Sequence, residues 1–368
     1  MNKKWTRIFV RALMGIILLS ITVLAEAQTP KQKNLPDVIR LSSHTLGSEG
    51  SVVAIAVSDA LTSELRIPVK NIPFGNDVAR MKSIINKESQ AGLIATAAFI
   101  DATHSTGDFK GWEHRQYRLI WSGYPAYASI MVRGDSKIKA ISDCKGKKGS
   151  YVPGWEGGRK TLASMLAFAN VSWGEIIQVP TGSYVKTLET VADGGADFCL
   201  VSVTTPKVLE LAASPIGIRV LPIEPHDNLQ AWARLHKEAP HYVPYYCNFG
   251  VLKNSPTWIG ATYYFWVTLD EINEDTIYAL AKGMDKAYPK FKDAASFGPG
   301  SGTQAVSVEN TLKIDLWKAG PVPYHSGTIK YLKEIKKWTS AHEEYQKAAL
   351  IAEREVQSTL KRGGKEQK

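Results

Sequence analysis

The chain has 368 residues, of which 44% are hydrophobic, 22% charged and 10% aromatic, and its formal net charge is +10. This composition is typical of a globular protein and excludes collagen-like, low-complexity and wholly disordered chains. The length predicts about two domains, each large enough to bury its own core. Basic residues are scattered along the chain rather than interleaved with stacking aromatics, so nucleic-acid binding is not expected.

The first 27 residues have the pattern of a secretory signal. Four basic residues precede an apolar run at 12–24, and Ala25-Glu26-Ala27 follows with small residues at the positions that a signal peptidase reads. This pattern predicts cleavage after Ala27 and export to the periplasm. An uncleaved membrane anchor is the alternative, although the run is shorter than the roughly 20 residues that a spanning helix needs.

A polar lead-in at 28–36 precedes the first block of alternating strands and helices, 37–126. The spacing of apolar residues predicts strands at 38–42, 68–74 and 91–95 and helices at 51–65 and 77–86. Two further strands are predicted, at 119–121 and 128–132. Alternation of this kind predicts an α/β fold with a mostly parallel sheet that is covered on both faces.

A second α/β block is predicted over 127–245. Its strands are expected at 150–152, 176–179, 196–203 and 218–223, and its helices at 159–170, 184–193 and 206–213. An extended aromatic stretch at 242–252 and a strand around 258–266 then return the chain to the first block, over 246–340. Helices are predicted at 273–288, 327–338 and 340–360, and the segment 341–368 is a terminal helix with a polar tail. Two lobes joined by two crossings would leave a cleft between them.

Cysteine and histidine usage gives no metal or redox motif. The three cysteines have no CxxC or CxxH spacing, and the eight histidines are dispersed. A Cys144–Cys199 or a Cys199–Cys247 disulfide is compatible with export, and the sequence does not choose between them. The chain also lacks the GxSxG, HExxH, Walker A and GxGxxG motifs, so no catalytic centre, metal or cofactor is predicted.

Small and hydroxylic residues lie at three predicted strand-to-helix junctions. Free amides at a helix start can bind a carboxylate or phosphate, and in the loop 42–50 the hydroxyls of Ser43 and Thr45 could add donors. Ordinary helix capping uses the same residue types and is the alternative reading. Thr96 follows the third predicted strand in the same block.

The second block carries the other two junctions. In the turn 154–161, glycines such as Gly158 allow close backbone approach, Thr161 adds a hydroxyl, and Arg159 could hold a carboxylate through two parallel hydrogen bonds. Arg159 in water on the first helical turn is the alternative. Ser202 and Thr204 end a strand before Pro206. Ligands in open α/β sheets bind beyond the carboxyl ends of strands, so the three junctions are expected to converge.

The order and spacing of these pieces resemble the TAXI family, the substrate-binding subunits of one class of TRAP transporter. The resemblance runs from about Val38 to Trp338. It rests on five segments: the loop 42–50, Phe109-Lys110-Gly111, 138–147, the turn 154–161, and 323–331, which contains the family's proline-x-histidine-x-glycine pattern. The sequence departs from the family in the first loop, which has Ser43, His44 and Glu49 where glycines are usual. It also has Gly157-Gly158-Arg159 in the second turn, where small-Gly-Thr is usual.

The resemblance implies a two-lobed periplasmic binding protein fold of type II. It implies a monomeric receptor that closes by a hinge around glutamate, 2-oxoglutarate or a similar carboxylate and delivers it to an ion-driven TRAP permease. The expected ligand-binding residues are Ser43, Thr45 and Thr96 from one lobe, Gly158, Arg159, Thr161, Ser202 and Thr204 from the other, and Tyr127 and Tyr245 as aromatic walls.

Two other roles remain open from the sequence. The receptor could deliver its ligand to a sensor kinase rather than to a permease, which neighbouring genes would decide. A secreted enzyme on the same scaffold would have Glu49 and Glu156 as its best acid/base pair.

Overall fold

The computed structural model describes residues 34–313 and 322–366. The predicted signal segment at 1–27 and most of the predicted lead-in at 28–36 lie outside these residues. Asp37–Lys368 forms one unit in the contact pattern. No helix among the described residues has both the length and the apolar character needed to cross a membrane.

The first block folds close to its prediction. Its elements are β1 (Ile39–His44), α1 (Glu49–Leu65), β2 (Val69–Phe74), α2 (Asp77–Ile85), β3 (Ala91–Ala95) and α3 (Thr96–His104). The predicted strands and helices are confirmed, with ends that differ by two residues or fewer. Local chemistry sets the helix starts, because the Ser48 side chain accepts a hydrogen bond from Ser51 N and Asn76 caps α2 in the same way.

The prediction of two strands at 119–121 and 128–132 is wrong. One long strand, β4 (Tyr117–Arg133), runs through both, paired antiparallel with β10 (Thr257–Leu269). The register shifts twice, between Tyr263 and Phe265 and between Trp266 and Val267. These irregularities take up the bend in the middle of the strand, so the hydrogen-bonded ladder continues where a break was expected.

The second block contains the predicted elements and one more helix. The elements are β5 (Lys148–Tyr151), α4 (Glu156–Phe168), β6 (Ile177–Pro180), α5 (Tyr184–Ala192), β7 (Phe198–Ser202), α6 (Pro206–Ala212), β8 (Ile218–Leu221), α7 (Leu229–Glu238) and β9 (Val243–Cys247). Helix α7 has no counterpart in the sequence prediction. Asn228 caps it, and it packs on α4, where the Trp232 and Phe168 rings lie 5.5 Å apart.

Among the described residues, four α-helices follow β10. They are α8 (Glu274–Phe291), α9 (Val308–Thr311), α10 (Ser326–Glu334) and α11 (Ser340–Glu366). The predicted helices in this region are confirmed. His325 caps α10, because its side chain accepts a hydrogen bond from Gly327 N, which gives the proline-x-histidine-x-glycine segment a structural role. Helix α11 is fixed to the sheet by its buried Glu353, which binds Arg118 of β4.

One sheet of ten strands joins the two blocks. The strand order is β2-β1-β3-β10-β4-β7-β5-β6, with β8 also paired to β4 and β9 to β10. The pairs of β1 with β2 and β3, and of β5 with β6 and β7, are parallel. Every pair that involves β4 or β10 is antiparallel. The expectation of a mostly parallel sheet is therefore wrong, because the two long strands that join the blocks run against their neighbours.

Three hydrophobic clusters fill the molecule and meet at one point of β4. Ala126 belongs to the cluster of the first block, Tyr127 and Ala128 to two clusters of the second. The cores of the two lobes are thus separate, and β4 passes from one to the other. Cys144, Cys199 and Cys247 are all buried and free, so neither disulfide pairing is present.

Candidate functional site

A cavity lies between the two lobes, under the middle of β4 and β10. The first lobe lines it with His44, Thr45, Ser48, Glu49, Gly75, Arg80, Ala95, Ala97, Tyr124, Ala126, Thr262 and Tyr264; the second with Ala128, Trp155, Gly157, Gly158, Thr161, Tyr184, Leu200, Ser202, Thr205, His241 and Tyr242. Its volume is about 50 Å³. One water needs roughly 10–15 Å³ in the same measure, so this space suits a ligand of a few heavy atoms.

Glu49 is the first residue of α1 and is only 2% exposed. Its Oε2 accepts hydrogen bonds from Ser202 Oγ, at 3.0 Å, and from Thr204 Oγ1. Both donors belong to the second lobe, so the carboxyl group bridges the cleft. Burial raises the pKa of Glu49 to about 7, against the smaller opposing effect of the two hydroxyl groups.

Arg80 supplies a permanent positive charge to the cavity. It is 1% exposed on the inner face of α2, and its Nη2 binds Asp77 one turn earlier. Its Nη1 donates to Phe74 O at 3.4 Å, while Nε has no partner. The guanidinium also contributes, after burial itself, to holding the pKa of His44 well below its usual range. His44 is therefore neutral at pH 7.

Seven buried polar atoms of the cavity-lining residues have no hydrogen-bond partner among the described residues. They are Nδ1 and Nε2 of His44, Oε1 of Glu49, Nε of Arg80, Nε1 of Trp155, Nδ1 of His241 and Oγ1 of Thr262. Buried polar groups are normally satisfied, and a concentration of unsatisfied ones around one cavity is the pattern expected of a ligand site.

Aromatic rings form much of the remaining wall. Tyr124 and Tyr264 stack in parallel at 4.8 Å, and His44 meets Tyr264 edge-on at 4.8 Å. On the other side, Trp155 contacts Tyr184 at 5.3 Å. Burial lowers the pKa of His241 to about 4, so this ring is also neutral at pH 7. Much of the wall is therefore aromatic, with polar atoms at a few points.

Direct contacts between the lobes hold the cleft shut in this structure. Lys160 Nζ of α4 donates to Asp101 Oδ1 of α3 at 2.6 Å, and Val78 N of α2 donates to Gly154 O at 3.2 Å. Backbone also approaches closely, because a Cβ added to Gly157 would lie 3.0 Å from Ala95 Cβ. The structure therefore represents a closed arrangement of the two lobes.

Four of the residues singled out from the sequence line the cavity. Thr45 comes from the loop before α1, Gly158 and Thr161 from the first turns of α4, and Ser202 from the end of β7. All three strand-to-helix junctions therefore meet at one space. Thr161 turns its hydroxyl to Gly157 O at 2.7 Å, within its own helix.

Three hydroxyl residues from the same set lie next to the cavity and have other partners. Ser43 Oγ donates to Asn71 Oδ1 on the neighbouring strand. Thr96 Oγ1 donates to Tyr263 O at 2.7 Å. Thr204 donates to Glu49, so it acts on the cavity through that carboxyl group.

Arg159 points away from the cavity. Its Nε donates to Glu156 Oε2 at 3.0 Å, its Nη2 binds Glu156 Oε1, and its side chain is 30% exposed beside Trp173. Tyr127 and Tyr245 also pack outside the cavity, against each other at 4.5 Å and in the third hydrophobic cluster. Arg159 was expected to hold a ligand carboxylate, whereas in this structure it is engaged by the carboxylate of Glu156 in its own helix.

Sequence reasoning overlooked the functional groups that tertiary packing brings in. Arg80 is the clearest, although its spacing offered a signal: Asp77, Arg80 and Ile84 share one buried face of α2. Asp77 and Arg80 carry opposite charges and lie on one buried helix face. Buried charged residues are rare, so this pair suggests an arginine with a functional role. His241 and Thr262 carry no comparable signal.

A metal site or an acid/base pair would require particular side chains of the described residues to lie together. No group of three or more His, Cys, Asp or Glu in residues 34–313 and 322–366 is arranged to hold a metal ion. Glu49 lines the cavity, but Glu156 does not, and both oxygens of Glu156 are engaged with Arg159. The acid/base pair considered for an enzyme is not gathered at the cavity.

Comparisons with known proteins agree with this architecture. The model of the NMT1-like family matches residues 49–335. A comparison with curated proteins found no match. Among solved structures, a protein of Bordetella bronchiseptica RB50 superposes with a TM-score of 0.51 at 12% identity, over 82% of this chain and 98% of that one.

Two further structures are similar at lower scores. The alkanesulfonate-binding protein SsuA from Xanthomonas axonopodis pv. citri, bound to MOPS, has a TM-score of 0.43 at 13% identity, over 85% of this chain and 84% of that one. An ancestral arginine-binding protein bound to arginine has a TM-score of 0.44 at 12% identity, over 70% and 98%. Similarities at this level do not identify a ligand for this chain.

Proposed function

Because the chain belongs to the NMT1-like family and encloses an unsatisfied polar cavity between two lobes, we propose that it is an exported solute receptor that binds a small carboxylate and delivers it to an ion-driven TRAP-type permease. The observation that carries the receptor role is the set of seven buried polar atoms without partners around one cavity. A solute that satisfied them in the closed state would shift the equilibrium between open and closed lobes toward closure.

The donors around the cavity support a carboxylate. Arg80 Nε and Trp155 Nε1 are both N–H donors without partners, and neither can act as an acceptor. Hydrogen bonds from a guanidinium to a carboxylate are roughly twice as strong as those between neutral groups. Glutamate and 2-oxoglutarate are the carboxylates implied by the TAXI resemblance, and the cavity volume of about 50 Å³ favours the smaller members of that class.

In this proposal the first lobe comprises 37–126 and the returning chain expected at 246–340, and the second comprises 127–245. The returning chain still packs with the second lobe at Ile259 and Ala261 and joins the first lobe's cluster at Tyr264. The hinge lies where β4 and β10 cross between them. Support comes from the hydrophobic clusters, because Ala126 packs in the first lobe and Ala128 in the second. Opening at this point would expose the cavity without disturbing either core.

The cellular part of the proposal rests on the signal-like segment at 1–27 and on the TAXI resemblance. The receptor is a periplasmic monomer, and its partner is the permease rather than a sensor kinase. Co-purification with the permease or the kinase encoded beside it tests this choice. Ligand-dependent capture by the kinase alone would replace the transport role and leave the receptor role intact.

A thermal-shift screen against small organic acids tests the receptor role. A ligand that binds only the folded protein raises Tm, by an amount that grows with ligand concentration above Kd. A few small carboxylates are expected to raise Tm in a concentration-dependent manner, and none of them is expected to be converted into a product. Conversion of the ligand into product would instead favour the enzyme reading.

A further inference from the structure

Glu49 begins α1 and places a carboxyl group at the wall of the cavity. One oxygen, Oε2, is held by Ser202 and Thr204 of the opposite lobe. The other, Oε1, is buried and has no partner among the described residues.

No basic side chain in the described part of the chain forms an ion pair with Glu49. Arg80, which also lines the cavity, is already paired with Asp77, and Lys160 is paired with Asp101. The other titratable groups at the cavity wall are neutral at pH 7: His44 and His241, and the phenols of Tyr124, Tyr184, Tyr242 and Tyr264. A buried carboxylate without a cation is unfavourable, and the same burial raises the pKa of Glu49, so a cation brought by the ligand would stabilise the charged carboxylate.

The aromatic wall provides suitable surroundings for that charge. Tyr124, Tyr264 and Trp155 border the same space as Glu49, and aromatic rings attract cations placed over their faces. Arg80 Nε and Trp155 Nε1 supply donors for an anionic group of the same ligand. The cavity therefore offers complementary groups for both signs of charge within about 50 Å³.

We infer that Glu49 binds a cationic nitrogen of the ligand, so that the solute is a small zwitterion rather than a plain carboxylate. This inference rests on the proposed function and narrows its ligand class. Glu49 Oε1 accepts from the nitrogen, while Arg80 and Trp155 donate to the carboxylate. Because Oε2 accepts hydrogen bonds from the second lobe, a nitrogen bound to Oε1 would contact a carboxyl group that is held by both lobes.

Calorimetric titration with matched ligands tests the inference without any mutation. Alanine, lactate and pyruvate differ only in the group on C2, which is an ammonium, a hydroxyl or a carbonyl. Wild-type protein is expected to bind alanine at least tenfold more tightly than lactate or pyruvate. Trimethylglycine is titrated as a further probe, because its quaternary nitrogen carries a charge but no N–H donor. Its binding shows whether the protein recognises the nitrogen through hydrogen bonds or through its charge and the aromatic wall.

The variant Glu49→Gln keeps an acceptor for Ser202 and Thr204 and removes the charge, so it is expected to lose the tenfold preference. Glu156→Gln is the matched control, because Glu156 also opens a helix and is 1% exposed but is paired with Arg159 outside the cavity. This control is expected to keep the preference. Circular dichroism confirms that both variants are folded.

The outcomes separate the inference from the proposed function. Equal binding of alanine, lactate and pyruvate by wild-type protein overturns the zwitterion and leaves a carboxylate receptor. A preference for alanine that survives in Glu49→Gln removes Glu49 from nitrogen recognition and overturns the inference too. Binding of trimethylglycine without binding of alanine overturns it as well, because a quaternary nitrogen has no N–H to donate to Glu49 Oε1. If no acid in the wider screen binds, the receptor proposal fails and the inference fails with it.

Discussion

Glu49 Oε2 and Ser202 Oγ lie 3.0 Å apart, and this hydrogen bond joins the first turn of α1 in one lobe to the end of β7 in the other. The same oxygen accepts from Thr204, so two residues of the second lobe converge on one carboxyl group. The polar contact that spans the cleft is also part of the ligand wall. A ligand that contacted Glu49 would therefore act on a contact between the lobes.

The protonation of Glu49 is expected to make the stability of the protein depend on pH. Burial raises the pKa of this carboxyl to about 7, from an ordinary value near 4.5, because the folded state favours the neutral form. The corresponding stabilisation is complete below pH 4.5 and is lost as pH rises through 7. Linkage gives a loss of about 3 kcal/mol across that interval.

The measurement is the free energy of unfolding of wild-type protein minus that of Glu49→Gln, by urea denaturation between pH 4 and pH 8. Taking this difference cancels the contributions of His44 and His241 to the free energy of unfolding. Because their pKa values are lowered in the folded state, these contributions decrease as pH falls, opposite to that of Glu49. The free energy of unfolding of wild-type protein, relative to that of Glu49→Gln, is expected to decrease as pH rises. A difference that does not change with pH would show that Glu49 titrates normally in the folded state.

Arg80, and not Arg159, is expected to determine affinity for the carboxylate. Arg80→Lys keeps a charge beside Asp77 and removes the Nε–H donor, which has no partner among the described residues. A hydrogen bond from this donor to a charged group is worth about 1.5–3 kcal/mol. Arg159→Ala is expected to leave the Kd within about threefold, because this guanidinium binds Glu156 outside the cavity.

Calorimetry of both arginine variants with the best ligand from the screen gives the comparison. Equal losses of affinity, or a larger loss in Arg159→Ala, would mean that the ligand lies nearer the exposed side of α4 than the cavity does. Near-ultraviolet circular dichroism shows whether the core around Arg80 remains packed in the variant.

The ion pair between Lys160 and Asp101 is expected to favour the closed state. Asp101→Asn removes the charge and keeps an acceptor for Thr106, while Lys160, at 24% exposure, can be solvated. Partial exposure limits the effect to about 0.5–1.5 kcal/mol, or a two- to tenfold weaker Kd. Glu189→Gln, a surface variant within the second lobe, is the control. Unchanged affinity in Asp101→Asn would show that the pair does not contribute to closure.

A side chain at Gly157 is expected to obstruct closure. A Cβ there would lie 3.0 Å from Ala95 Cβ and 3.1 Å from Asp77 Oδ2, both of the first lobe. Gly157→Ala is therefore expected to bind ligand less tightly and to show a smaller ligand-induced decrease in radius of gyration by small-angle scattering. Gly174→Ala is the matched control, because nothing lies within 4 Å of its added Cβ. Equal compaction in both variants would contradict a closing contact at Gly157.

Local sequence signals predicted most helices and strands because those elements depend on nearby residues. Helix α1 follows from its apolar spacing and from Ser48 as cap, and β3 from a short apolar run. The direction of strand pairing depends on the whole topology, so the sheet was expected to be mostly parallel and β4 was divided into two strands. Helix α7 was overlooked although Ala231, Trp232 and Leu235 form a buried face at helical spacing.

The candidate site was predictable only in part. Hydroxyls and glycines at strand-to-helix junctions led to Thr45, Gly158, Thr161 and Ser202, since topology places such junctions at the same edge. Arg159 was expected at the site and Arg80 was not singled out, because tertiary packing, which the sequence does not show, decides which guanidinium lies at the cavity. Glu156, one turn before Arg159, forms an ion pair with it. Arg80 instead lies on the inner face of α2, and its Nε has no partner among the described residues.

The most direct test is a crystal structure of the protein with the tightest ligand from the acid screen. Ligand density is expected in the cavity between the lobes, with the carboxylate within hydrogen-bond distance of Arg80 Nε or Trp155 Nε1 and the lobes closed as described here. Density at another surface, with the cavity between Glu49 and Arg80 filled only by water, would contradict the account.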